Sequence, residues 1–259
     1  MTEMDELEIV GVVKSKPLRL SRKTAKHLRK HLSHIGWRFG FLLFWQQIIQ
    51  MLGYTASILL PDKPGKILPV WKIGQKHQIP VHRVADVNHP DTLKVIEALQ
   101  PDIIVSAYFN QIIRQDLIAI PATGILNIHP GWLPAYRGVM AYFWVLKNGS
   151  EKAGVSVHWI DKGIDTGELV ARHGFRIREG MTQQKVLIHT AVIGSVLLER
   201  IARLILKGQK LKAISIEDEE VQYYSMPTGD EFDEYFKSRR FFRIRDMFGF
   251  LFLRRNKDQ

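Results

Sequence analysis

Asn127-Ile128-His129-Pro130-Gly131-Trp132-Leu133-Pro134-Ala135-Tyr136-Arg137-Gly138 follows the apolar run Gly124-Ile125-Leu126. The run reads as the end of a short buried strand. Side chains two apart on a strand point to the same side. Asn127 and His129 therefore face one way, and Ile128 faces the other, towards a core. Pro130 has no backbone N–H and ends the ladder there. An amide and an imidazole are presented together at the edge of a sheet, where open α/β folds bind substrates. Such a pair can polarise a carbonyl and handle a proton. The same residues also fit a plain strand turning into a loop, its polar side chains merely satisfied.

A second stretch changes that balance. Gly154-Val155-Ser156-Val157-His158-Trp159-Ile160-Asp161-Lys162-Gly163-Ile164-Asp165-Thr166-Gly167-Glu168 reads as a strand running into a Gly/Asp-rich loop. Gly163 and Gly167 suit positive φ or the close approach of a ligand. Along the strand, Val155, Val157 and Trp159 face one side, and Ser156, His158 and Ile160 the other.

Together the two stretches resemble the formyltransferases that use 10-formyltetrahydrofolate, the family of glycinamide ribonucleotide, methionyl-tRNA and sugar-nucleotide formyltransferases. The resemblance rests on Asn127-x-His129, then Leu133-Pro134 and Gly138, then Asp161-Lys162-Gly163-Ile164-Asp165-Thr166-Gly167, in that order and at a similar gap. It runs from about Ile79 to Ala213. It implies an α/β fold with a mostly parallel, Rossmann-like sheet and helices on both faces. It implies an enzyme that moves a formyl group from 10-formyltetrahydrofolate to an amine. Asn127, His129 and Asp165 would be catalytic. Asn127 would donate to the oxyanion of the tetrahedral intermediate, and protonated His129 would stabilise it. Asp165 would raise the His129 pKa and help to move the amine proton. Ile112, Ile113, Asp161, Gly163 and Ile164 would bind the folate, with the Asp161–Asp165 loop folded around the pterin. Ile113 fits ordinary core equally well. His158 matches a histidine of some family members; a satisfied buried histidine is the competing reading.

The chain has 259 residues, 46% of them hydrophobic, enough to bury a sizeable core. The expected division is a catalytic domain over 1–225 and a basic-aromatic appendage over 226–259. There is no cysteine, which excludes disulfide and thiolate chemistry and fits a cytoplasmic location. The start, Met1 to Glu6, is acidic and does not read as a signal peptide. The net charge of +11 favours anionic partners: nucleotides, RNA or an anionic membrane surface.

In chain order, Leu7 to Val13 is a strand candidate. A basic helix follows, capped by Ser21. Its His27, His31 and His34 share a face, a spacing open to a metal. With nothing acidic or sulfur-bearing nearby, a plain basic face is expected and no metal. Ile35 to Tyr54 is strongly apolar but broken by Arg38 and three glutamines, so it is not a spanning helix. It reads as a helix packed on a sheet, a helix lying in a membrane interface, or a partner surface. Asp62 to Lys66 is a turn-rich link. Val70 to His77 is a short helix, and Ile79 to His82 a strand. A helix capped by Asn88, with Pro90 in its first turn, stops before Pro101. Asp102 to Ala107 is a buried strand, completing a βαβ unit. Asp116 to Ile120 is a helical turn, and Val139 to Asn148 a helix. Glu168 to His173 and Phe175 to Ile177 read as a hairpin. Thr182 caps an amphipathic helix ended by Gly208. From Asp230, aromatic and basic residues interleave, a pattern suited to nucleic acid, a membrane interface or a docked helix.

Measured against the family pattern, the first strand-helix unit is missing, which puts the acceptor pocket in doubt. The length after about residue 215 leaves no room for the C-terminal barrel of methionyl-tRNA formyltransferases. The expected acceptor is therefore a small amine (an amino sugar, an amino acid derivative or a ribonucleotide amine), with tRNA disfavoured. The alternatives are a formyltetrahydrofolate hydrolase and a non-catalytic membrane- or nucleic-acid-associated protein on the same fold.

Overall fold

The computed structural model describes residues 7–15, 36–41, 44, 45, 48, 51, 52, 55, 69–238 and 243. The helix expected after Ser21 with its three histidines, the link at 62–66 and nearly all of the chain beyond 238 lie outside the described residues. In order, the elements are β1 (Val12–Ser15), α1 (Val70–His77), β2 (Val81–Val84), α2 (Pro90–Ala98), β3 (Ile103–Ala107), α3 (Gln115–Ile118), β4 (Gly124–His129), β5 (Arg137–Gly138), α4 (Ala141–Lys147), β6 (Lys152–Trp159), β7 (Leu169–Arg176), α5 (Gln183–Leu206), β8 (Tyr223–Tyr224) and α6 (Gly229–Ser238). The described residues between 37 and 55 are also helical.

The fold is α/β, and its strand pairing is mixed but mainly parallel. β1/β2, β3/β4 and β5/β8 are parallel, while β4/β6 and β6/β7 are antiparallel. The largest sheet has the order β3-β4-β6-β7. Its inner face is built by the alternation read from the sequence. Leu126, Ile128, Val155 and Val157 point to one side and are covered by Leu197 and Ile201 of α5. Thr182 caps α5 by accepting from the Lys185 N–H at 3.2 Å, which satisfies one of the open amides of the first turn.

Five local expectations are corrected. The βαβ unit expected up to Ala107 is split between sheets: β2 pairs with β1, and β3 with β4. Both pairs still lean on one core, in which Val13 and Val84 pack with Ile96, Ile104, Leu117 and Ile125. As the outer strand of its sheet, β3 leaves Val105 exposed where its apolar run implied burial. The first strand begins at Val12 rather than Leu7.

The cap of α2 is His89, whose Nδ1 accepts from the Asp91 N–H. Asn88 is used otherwise. Its Nδ2 donates to the Ile112 carbonyl at 2.9 Å and its Oδ1 accepts from Arg114 N–H at 2.9 Å. The hairpin expected around Gly174 is one continuous strand, β7. Gly174 pairs with Gly154 across β6, and the two make room for an indole. A Cβ on Gly154 would lie 2.8 Å from the Trp132 ring, and one on Gly174 3.3 Å.

Helix α6 opens with a capping box absent from the sequence reading. Glu231 Oε2 accepts from the Thr228 N–H at 2.8 Å, and Thr228 Oγ1 faces the Glu231 N–H at 3.4 Å. Its Phe232 and Tyr235, which the sequence groups with the tail, are core residues packed with Phe143, Leu146 and Phe39. The described part of the segment at 37–55 is therefore tied to α6. Phe39 stacks on Phe232, and Arg38 pairs with Asp233 at 3.2 Å. Among the described residues, no helix is long and apolar enough to cross a membrane.

Candidate active site

Parallel pairing with β3 and antiparallel pairing with β6 hold β4 on both sides, up to the break at Pro130. Across the β4/β6 ladder, Asn127 stands opposite His158 and His129 opposite Ser156. All four side chains share the face away from α5. The loop after β6 then brings Asp165 back over this face. Asp165 has φ +52°, a left-handed conformation that Asp tolerates better than most residues. It is held there by the Gly138 N–H, which donates to Oδ2 at 2.8 Å. Gly138 itself has φ +96°, and a Cβ on it would lie 2.1 Å from the Tyr224 carbonyl oxygen. Only glycine fits between Asp165 and β8.

The Asp165 carboxylate sits between two imidazoles. His129 Nδ1 is 3.4 Å from Oδ2, and His158 Nε2 is 3.5 Å from Oδ1. The remaining partners fix the ring protons. His129 Nε2 donates to the Tyr136 carbonyl at 2.6 Å, which leaves the Nδ1 lone pair on the Asp165 side. His158 Nδ1 donates to the Trp159 carbonyl at 2.8 Å. Its Nε2 then accepts from Asn127 Nδ2 at 3.1 Å. One Asn127 amide hydrogen is thus committed to His158 and the other is available to a ligand.

The sequence implied a protonated His129. Burial pulls the His129 pKa below its ordinary value of 6.5, and the Asp165 charge and the Tyr136 carbonyl only partly offset it. The ring is 4% exposed. Burial also pushes the Asp165 carboxyl up. The neighbouring His158, the charge interaction with His129 and the Gly138 N–H outweigh this and hold it below its usual 3.8. Burial thus favours the neutral form of the ring beside an ionised carboxylate.

A sign follows for stability. Below pH 6.5 an unfolded chain binds a proton at His129 more readily than the folded one, so folding stability falls as pH drops through that value. The Asp165 contribution has the same sign but is lost only at lower pH. Melting temperatures recorded from about pH 8 to about pH 5 should be flat at first and then decline. His129→Asn should lessen the decline.

The loop 130–138 between the two site strands is secured by groups from β6 and β7. Ser156 Oγ accepts from the Leu133 N–H at 3.0 Å and donates to the Gly131 carbonyl at 2.8 Å. Arg172 donates to the Leu133 carbonyl at 2.9 Å, forks onto Glu219 at 2.8 and 2.6 Å, and lies over the Trp132 ring. This fork holds the Glu219 carboxyl below the usual range. Ser156 was read only as one face of a strand, and Arg172 and Glu219 were not singled out. Their partners are backbone groups and an indole far away in sequence, and no local pattern marks them.

The residues expected to hold folate divide into two kinds. Asp161 is exposed and is tied into its own loop through one carboxylate oxygen. Its Oδ1 accepts from the Gly163 N–H at 3.0 Å and from the Thr166 hydroxyl at 2.6 Å, so it shapes the loop that delivers Asp165. Gly163 packs under Thr166, where a Cβ would lie 2.0 Å from Oγ1. Ile164 and Ile112 are exposed, Ile112 by 68%. Ile113 turns into the core beside Leu117 and Ile125. Asn88 and Gln111 brace the segment that carries both isoleucines. Gln111 accepts from the Val87 N–H at 2.7 Å and donates to Ser15 Oγ at 2.8 Å.

An amide, two imidazoles and a loop carboxylate gathered over one face of a mixed α/β sheet have the groups that acyl-type transfer needs, an oxyanion donor and a proton acceptor. The family follows from comparison. Residues 69–199, half of the chain, match the model of the family described as formyl transferase, and the chain belongs to that family. It is 33% identical over 176 residues to a methionyl-tRNA formyltransferase of Clostridioides difficile (strain 630), covering 66% of this chain and 56% of that protein. It is 32% identical over 155 residues to the bifunctional polymyxin resistance protein ArnA of Wigglesworthia glossinidia brevipalpis, covering 60% of this chain and 24% of that one. The chain thus spans about half the length, or less, of these relatives. Among solved structures, the formyltransferase PseJ from Anoxybacillus kamchatkensis, in complex with UDP-4,6-dideoxy-4-formamido-L-AltNAc and tetrahydrofolate, superposes with TM-score 0.53 at 18% identity, over 72% of this chain and 96% of that one. A phosphoribosylglycinamide formyltransferase from Bacillus halodurans gives 0.50 at 23% identity, over 66% and 94%. These two likenesses concern the fold.

Proposed function

We propose that this chain transfers a formyl group from 10-formyltetrahydrofolate to the amine of an acceptor, with Asn127, His129 and Asp165 as the catalytic residues. The observation that carries the reading is the ionised Asp165 held between two imidazoles, beside an Asn127 amide that has one hydrogen to give. The bound donor supplies an electrophilic formyl carbon, and the acceptor nitrogen bonds to it as the bond to N10 breaks. Asn127 Nδ2 donates to the formyl oxygen as negative charge builds there; one such donor contributes about 2.7–4 kcal/mol. Neutral His129 takes the amine proton at Nδ1, directly or through water, and the proton goes on to the departing N10. Asp165, 3.4 Å from that nitrogen, stabilises the imidazolium while it lasts. His158 orients the Asn127 amide throughout. The exposed Ile112 and Ile164 suit the apolar faces of a folate, and the loop that Asp161 shapes suits its hydrogen-bonding edge.

The acceptor class is open between a small amine and a larger one. Relatives of this chain include methionyl-tRNA formyltransferases, so charged tRNA belongs beside amino sugars, amino acid derivatives and glycinamide ribonucleotide in any screen. The deciding experiment has two readouts. The first is the melting-temperature shift caused by a stable 10-formyltetrahydrofolate analogue, which stabilises only the state that binds it. The second is tetrahydrofolate formation with each amine. A shift in the wild type that is lost in Gly163→Val, whose side chain would displace Thr166, supports the cofactor site. No shift at saturating analogue overturns it. Formate release without any amine would mark a hydrolase instead.

A further inference from the structure

We propose that the helical segment between residues 37 and 55 is a docking surface for an anionic phospholipid bilayer. Trp37, Phe41, Phe44, Trp45, Met51 and Leu52 are all exposed, Trp37 by 77% and Phe44 by 60%. At 100° per residue they fall within an arc of about 120° on one side of the helix. Phe39 falls on the opposite side and is buried against Phe232. The helix therefore lies along the surface of the protein, fixed by one face and presenting an apolar one. Six large apolar side chains in a continuous stripe exceed what a surface scatters by chance.

Two features of the stripe favour lipid over a protein groove. First, it is aromatic. Four of the six residues are Trp or Phe, the side chains that settle at the boundary of headgroups and acyl chains, and Phe41 and Trp45 stack on each other along it. A seam for a second helix would favour Leu and Ile. Second, the sequence just before it is basic. Residues 16–35 contain seven lysines and arginines and no acid. Basic residues beside an apolar helix add attraction to anionic headgroups. RNA would answer the charge but leaves the aliphatic Met51 and Leu52 without a role.

The test is sedimentation of the full chain with phosphatidylcholine vesicles, with and without phosphatidylglycerol, at low and high salt. Binding should need phosphatidylglycerol and weaken with salt. The exposed double substitution Phe41→Ser/Trp45→Ser should lower the affinity by roughly tenfold or more, while the shift with the folate analogue stays as in the wild type. Quenching of tryptophan by brominated lipid should fall in Trp37→Phe/Trp45→Phe. Equal binding by wild type and the double-Ser variant overturns the proposal. So does a dimer in lipid-free solution that this variant dissolves, because the stripe would then be covered by a second copy. RNA binding without vesicle binding overturns it as well.

Discussion

Asp165→Asn lowers formyl transfer by about 10²–10⁴-fold in kcat, the range spanned by a positioned proton-transfer group, and leaves the folded structure in place. The substitution is nearly isosteric. The amide oxygen of the replacement side chain would still accept the Gly138 N–H, a bond now made to the carboxylate at 2.8 Å, and the left-handed backbone suits asparagine as well as aspartate. What disappears is the negative charge. Burial already pulls the His129 pKa down, and Asp165 is the leading group that opposes it. Without that carboxylate, protonating the buried ring costs more. His129 then cannot hold the amine proton during transfer, however well the acceptor binds. The melting-temperature shift with a folate analogue should survive, because the loop is shaped by Asp161. Single-turnover kinetics on the purified variant check this. Near-normal turnover would remove Asp165 from the catalytic set and with it the assigned proton route.

The strand alternation around Asn127 and Val155 was legible in the sequence because a period of two has one physical meaning when a face is buried. The three polar residues Asn127, His129 and Asp165 were legible as well, through the two-part motif and its spacing, and the fold brings them together. The pull of burial on the His129 pKa was not. It depends on how closely the 130–138 loop covers the ring, a property of the assembled fold. The Tyr136 carbonyl and Gly138 N–H were hidden for a different reason: a backbone group carries no signature in its side chain. Gly174 misled because a glycine between two strand-like runs reads as a turn, when the space it leaves is filled by Trp132 from another loop. Asn88 misled because two cap-competent residues, Asn88 and His89, stand side by side. The one whose amide reaches Ile112 and Arg114 was claimed by tertiary contacts. The split of β2 from β3 was likewise illegible, since strand neighbours are chosen by packing between elements and not by either strand alone.

Phe232→Ala should be the most damaging substitution outside the site, at about 3–5 kcal/mol of folding stability. Phe232 is 1% exposed. Its ring stacks on Phe39 and lies tilted against Phe143 at 4.7 Å, so it joins α6 both to the core and to the helical segment between 37 and 55. Truncation leaves a cavity bordered by aromatic rings on two elements, which cannot both move in to fill it. The denaturant midpoint should fall with the slope unchanged if unfolding stays two-state. By contrast, Phe44→Ala removes a ring of equal size from the exposed stripe and should change stability by no more than about 0.5 kcal/mol. The pair separates two roles for aromatic residues that look alike in the sequence. Phe232→Ala should also speed limited proteolysis within residues 36–55, since Phe39 loses the ring it stacks on, and the Arg38–Asp233 pair beside it is exposed. A stability loss below about 1 kcal/mol would mean that α6 is not part of the core and that the apolar stripe rests on something else.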